Sequence, residues 1–146
     1  MDKPGRSVEY FKNGFNCSQS VFATFAEELG VNPDSALKLA NGFGAGIGRT
    51  QKTCGAVTGA IMALGLKYGK GINDDETKKA KGYEMAIKFI DEFTKNHGST
   101  ECMVLIGHDM KTEEGAKAIE ENDLFVHVCA KLVKDAATIT EKLLKE

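Results

Sequence analysis

The sequence predicts a single all-α domain over residues 1–146, a helical bundle of five to seven helices. Three observations carry this. Apolar residues recur at helical spacing through most of the chain. No segment alternates apolar and polar residues for long enough to make a convincing strand. Cap-forming residues stand before, and glycines after, most of the periodic stretches.

A weak helix is expected around Ser7 to Lys12. In residues 17–29, Cys17, Val21, Phe25 and Leu29 recur every four positions, with Phe22 and Ala26 alongside. That is an amphipathic helix with Cys17 on its buried stripe, capped by Asn16 and stopped by Gly30. Pro33 suits the first position of a short helix to about Ala40, with Asn32 as its cap. Gly42, Gly44, Gly46 and Gly48 then follow in quick succession, which no stable helix interior tolerates, so the stretch to Arg49 reads as a loop. Thr53 caps the next helix, Cys54 to about Tyr68. Gly55, Ala56, Gly59, Ala60, Ala63 and Gly65 leave much of its surface flat. Glycine inside a helix costs about 1 kcal/mol relative to alanine. The close approach of another backbone, or of a cofactor, is the natural compensation at Gly55 and Gly59, which share one face.

Asp74-Asp75-Glu76 start a long helix to about Asn96 that Gly98 ends; its expected stripe is Tyr83, Ala86, Ile87, Ile90 and Phe93. Ser99 caps a short helix carrying Cys102, Leu105 and Ile106, closed by Gly107. Thr112-Glu113-Glu114 open another to about Glu121. The last helix runs from about Asp123 to Leu144 on a stripe of Leu124, Phe125, Val128, Leu132, Ala136, Ile139 and Leu143, with Cys129 flanking it.

Composition narrows the function. Apolar residues (42%), charged residues (27%) and a net charge of −2 are those of a soluble globular protein, with no basic surplus for nucleic acid. The polar N-terminus carries no secretory core, and the most apolar uncharged stretch, Cys54 to Leu66, is too short and glycine-rich to cross a bilayer. The expectation is a cytoplasmic protein, not embedded in a membrane. In that compartment four cysteines are reduced, catalytic or metal-bound.

The glycine loop invites a nucleotide reading and fails it. A dinucleotide fingerprint needs glycine where Arg49 stands and a strand before it. A P-loop needs lysine at position 49 and glycine at 43, where the chain has Arg and Phe. The loop reads instead as the backbone that delivers Cys54, with Arg49 supplying positive charge nearby. The cysteines carry more. Cys17, Cys54 and Cys102 all fall where a helix begins, and a helix N-terminus favours thiolate over thiol. Cys54 is the leading candidate, with glycines beside it and Arg49 and Lys52 before it. Cys129, mid-helix, reads better as a small buried hydrophobe. No Cys-x-x-Cys or zinc-ribbon spacing occurs. His97, His108 and His127 read as structural or solvated residues.

Four cysteines in order, with Cys54-Gly55-Ala56-Val57-Thr58-Gly59 on the second and Cys102 followed by Gly107 and Asp109, resemble the C_GCAxxG_C_C family. The resemblance spans Asn16 to about Leu144. It implies a redox role resting on Cys17, Cys54, Cys102 and Cys129, and it brings no defined substrate.

Two chemistries stay open. In the first, a thiol-dependent oxidoreductase, Cys54 attacks as the low-pKa thiolate and Cys17 resolves the disulfide. In the second, all four cysteines ligate an iron–sulfur cluster or zinc, with Gly55 and Gly59 giving room for the bound group, and the protein is an electron carrier or sensor. Either needs a redox partner protein that the sequence does not name. The flattened helix packs equally well inside one chain or across a homodimer. A helical domain with incidental cysteines is the third reading, and thiols repeated at helix starts argue against it.

Overall fold

The computed structural model describes all 146 residues, Met1–Glu146. Its α-helices are α1 (Lys3–Lys12), α2 (Cys17–Ala26), α3 (Pro33–Ala40), α4 (Gly55–Tyr68), α5 (Glu76–His97), α6 (Cys102–Ile106), α7 (Glu113–Glu121) and α8 (Ala130–Leu144). A 3-10 turn, Asn41–Phe43, follows α3, and a π turn, Phe125–Cys129, leads into α8. There is no strand; Thr53 and Glu101 form one isolated antiparallel bridge. No helix is long and apolar enough to cross a membrane.

The all-α class holds, but eight helices stand where five to seven were expected. The surplus lies in short segments that are nonetheless properly ended. The Asp2 carboxylate accepts from the Gly5 N–H at 2.7 Å and starts α1 four residues earlier than the apolar pattern suggests. The Thr112 hydroxyl accepts from Gly115 to start α7. Helix α6 has no side-chain cap. Its first N–H groups donate instead to carbonyls of the preceding loop, Cys102 to Lys52 at 2.7 Å and Met103 to Gln51 at 3.1 Å. Orphan donors at a helix start need such partners.

Helices α2 and α4 lie at the centre. Every residue of α2 after Cys17 is buried, and α2 packs on α1, α3, α4 and α8. Asn16 and Gln19 begin it with a reciprocal capping box, at 2.9 and 3.0 Å. Its contact with α4 is made backbone to backbone. A Cβ added at Gly59 would stand 2.6 Å from the Ser18 carbonyl oxygen, and one at Gly55 would stand 2.9 Å from the Ser18 nitrogen. Thr58 and Ser18 share a hydroxyl hydrogen bond at 3.2 Å across the same seam. Close approach of a second backbone therefore accounts for both glycines.

Two stripes differ from the sequence expectation. Helix α5 buries Met85, Phe89 and Phe93, while Tyr83 and Ile87 are 63% and 57% exposed. The buried arc is turned by about one residue because α5 packs on α4 and α8 through the stacked Phe89 and Phe93 rings. The last helix is not uniform either. Asp123 takes a left-handed φ of 51°, and the π turn after it leaves Phe125 43% exposed while burying Cys129. Helix α2 ends at Ala26 rather than Leu29, in a turn closed by Gly30 at φ 93°.

The seam generates a paired prediction. Gly59→Ala should lose about 1–3 kcal/mol in urea denaturation, because the methyl meets backbone that cannot yield. Gly65→Ala, in the same helix with nothing within 4 Å, should instead gain about 0.5–1 kcal/mol.

Candidate functional site: a four-cysteine cavity

Each cysteine reaches the site from a different element. Cys17 is the first residue of α2, held by the Asn16–Gln19 box. Cys102 is the first residue of α6. Cys54 is itself the N-cap of α4, with φ −53° and ψ 135°, so the cap is one residue later than the Thr53 expected. The Cys54 N–H donates to Thr100 at 2.7 Å, and Thr53 pairs with Glu101. That short ladder lays the start of α4 beside the start of α6, so Cys54 and Cys102 flank the bridge on one face. Cys129 closes the π turn ahead of α8. A π turn inserts one residue into the helical register and re-aims the side chains after it.

All four side chains line one cavity of about 430 Å³. Cys54, Cys102 and Cys129 are 4%, 9% and 8% exposed, Cys17 is half-buried, and all four are free thiols. Apolar groups including Phe11, Leu105 and Leu132 supply much of the remaining wall, and Arg49 is its one charged side chain besides the thiols. No histidine or carboxylate reaches it. Gly55 is on the wall; Gly59 is not.

The rim is backbone held in an unusual form. Ala45, Gly46, Ile47, Gly48 and Arg49 have φ of 51°, 69°, 70°, 60° and 68°, and Gln51 follows at 56°. A left-handed conformation costs about 1–2 kcal/mol for each residue other than glycine. Hydrogen bonds hold the loop there, among them Lys52 N–H to Gly46 at 2.8 Å and Gly48 N–H to Gly42 at 2.9 Å. The Gln51 side chain, 2% exposed, clamps it to the chain after α6, donating to the His108 carbonyl and accepting from Met110, both at 2.8 Å.

Cys17 and Cys129 act strongly on one another's titration. The neighbouring Cys17 pulls the Cys129 pKa down against burial. The Cys17 pKa is driven well up, first by Cys129, then by burial and by the charges of the neighbouring cysteines. Burial pushes Cys54 up to about 11, although the N–H groups of Ala56 and Val57 act in the opposite direction. Burial again, with the charges of Cys54, Cys129 and Glu101, pushes Cys102 up to about 12. The low pKa expected at Cys54 is not found there, and Cys129 is the one cysteine whose pKa is lowered. The helix-start effect exists, but in a site this dry desolvation outweighs it.

No three His, Cys, Asp or Glu side chains converge closely enough to hold one metal ion. The histidines stand apart: His127 is exposed, and His97 pairs with Asp135 at 2.6 Å on the α5–α8 seam.

The family model described as "Putative redox-active protein (C_GCAxxG_C_C)" matches residues 15–143. The chain belongs to this family. Among curated proteins, an uncharacterised protein from Archaeoglobus fulgidus is 26% identical over 148 residues, covering 97% of this chain and 92% of its own. No solved structure matches the chain. The family pattern contains all four cavity cysteines. Arg49, expected near Cys54, stands on the wall that all four thiols share. The cavity feature that sequence reasoning missed is the opposed pKa shift of Cys17 and Cys129, for which the chain carries no local signal.

The thiol order fixes a pH dependence. A thiol whose pKa is raised by folding stays protonated while the unfolded chain ionises. Its stability contribution is complete below the unfolded value near 9 and is lost as pH rises through the folded one. For Cys54 that window runs from 9 to about 11, and the loss is roughly 2–3 kcal/mol. Urea midpoints should fall with pH across it, and the fall should be shallower in Cys54→Ala. At pH 7–8, iodoacetamide should label Cys129 first and Cys54 and Cys102 slowest, read by peptide mass spectrometry.

Proposed function

We propose that this protein is a thiol–disulfide redox protein whose working pair is Cys17 and Cys129. The observation that carries the reading is that both line the wall of the shared cavity, where each shifts the other's pKa, Cys17 up and Cys129 down. A thiolate beside a protonated thiol is the starting arrangement for exchange: the first attacks, the second resolves. Cys17 keeps the resolving part expected of it. Cys54, the leading nucleophile on sequence grounds, yields that part to Cys129, and with Cys102 forms a second, less acidic set of thiols in the same space. Residues 1–146 act in this reading as one helical-bundle domain that keeps the four sulfurs dry and together. Reduced thiols suit a cytoplasmic setting, with a thiol or disulfide partner as the source or sink of electrons.

A second reading is favoured by the convergence of all four cysteines on one cavity. A single zinc ion does not fit, since no three ligands converge on a point. The cavity of roughly 430 Å³ that the four cysteines help to line has room for a larger iron–sulfur centre. Cys17, Cys54, Cys102 and Cys129 would hold it, Gly55 would face it, and it would supply one-electron transfer.

Disulfide mapping of anaerobically purified protein separates the two, with iron and sulfide analysis alongside. Mild oxidation should give a Cys17–Cys129 disulfide, and Cys17→Ser or Cys129→Ser should abolish it. Cys54→Ser should leave it intact. Stoichiometric iron and sulfide, lost on replacing any one of the four cysteines, would establish the cluster instead.

A further inference from the structure

The charge on the cavity wall narrows the oxidant, and the narrowing rests on the dithiol reading above. Arg49 is exposed at the rim and forms no ion pair with any carboxylate of the chain. Glu120 and Asp123 share a neighbouring recess of about 330 Å³ with it, yet neither comes within ion-pair distance. Arg49 thus lines the mouth of the thiol cavity on a left-handed backbone and has no internal ion-pair partner. On the same rim the Ala45 N–H has no acceptor in the protein. An arginine fork beside a free backbone N–H is carboxylate-binding chemistry.

We infer that the cavity takes a small disulfide bearing a carboxylate, with its acid end on Arg49 at the rim and its sulfur–sulfur bond against Cys129. The depth of the sulfurs excludes a folded partner's disulfide, because the attacking residue is 8% exposed. The volume is that of a small-molecule site with apolar walls and few polar groups. The Cys129 thiolate attacks one sulfur of the disulfide, forming a mixed disulfide and expelling one carboxylate-bearing thiolate. Cys17 then gives up its proton to that thiolate and attacks the Cys129 sulfur, expelling the second thiolate. Two protein thiols are oxidised to one disulfide, and one small disulfide is reduced to two thiols.

The test is stopped-flow oxidation of the reduced, metal-free full chain by three probes: dithiodiglycolate (anionic), bis(2-hydroxyethyl) disulfide (neutral) and cystamine (cationic). Each rate is divided by that of the same probe with free dithiothreitol, which removes intrinsic reactivity. The expected order is anionic, neutral, cationic, with about a tenfold step between the first two. Arg49→Gln should erase that step and Arg49→Lys should keep part of it. Equal corrected rates in the wild type, or a step that survives Arg49→Gln, overturn the anionic substrate while leaving the dithiol reading standing. Failure of all three probes to oxidise the Cys17–Cys129 pair overturns the dithiol reading itself, and the inference with it.

Discussion

The contact on which this structure depends is the meeting of α2 and α4 at Ser18, Gly55 and Gly59. Two backbones pass so closely that a methyl group at position 59 would stand 2.6 Å from a carbonyl oxygen. That approach sets how far apart Cys17 and Cys54 lie, because each begins one of the two helices. The remaining cysteines are hung on the same frame. The ladder around Thr53 and Glu101 brings in Cys102, and α8, packed on both central helices, brings in Cys129. Glycine weakens α4 as an isolated helix, and packing repays it by making one cavity out of four distant segments.

Within the cavity two effects compete over each sulfur. Helix starts favour thiolates, whereas apolar walls disfavour any charge. Burial wins at Cys54 and Cys102. Only at Cys129 is the pKa lowered, through its neighbour Cys17 and against burial. Four thiolates crowded together would repel one another, and neighbouring cysteine charges help to raise the pKa values of Cys17, Cys54 and Cys102. Arg49 is the one basic residue lining the same cavity.

Much of this was legible in the chain. Asn16 ahead of the four-residue rhythm of Cys17, Val21 and Phe25 gives α2 and its cap. The glycines of α4 announce a close approach, although they do not say to what. The family motif marks the four cysteines, and the structure joins them in one cavity. The features that the chain did not disclose depend on packing over long separations. The apolar face of α5 offers Tyr83 and Ile87 as readily as Met85 and Phe89, and only the position of α4 and α8 decides between them. The π turn shifts Cys129 by one register step, which periodicity at 3.6 residues does not foresee. The raised pKa of Cys54 comes from burial, a property of the folded whole.

Titration of the reduced native protein with phenylarsine oxide tests the central claim most directly, because a trivalent arsenical binds tightly only where two thiols are already adjacent. The expected result is one arsenical per chain, with two thiols still titratable after denaturation. Binding should be lost in Cys17→Ser and in Cys129→Ser and retained in Cys54→Ser. Native protein that takes up no arsenical, or whose uptake depends on Cys54 and Cys102 instead, would contradict the Cys17–Cys129 pair on which the account rests.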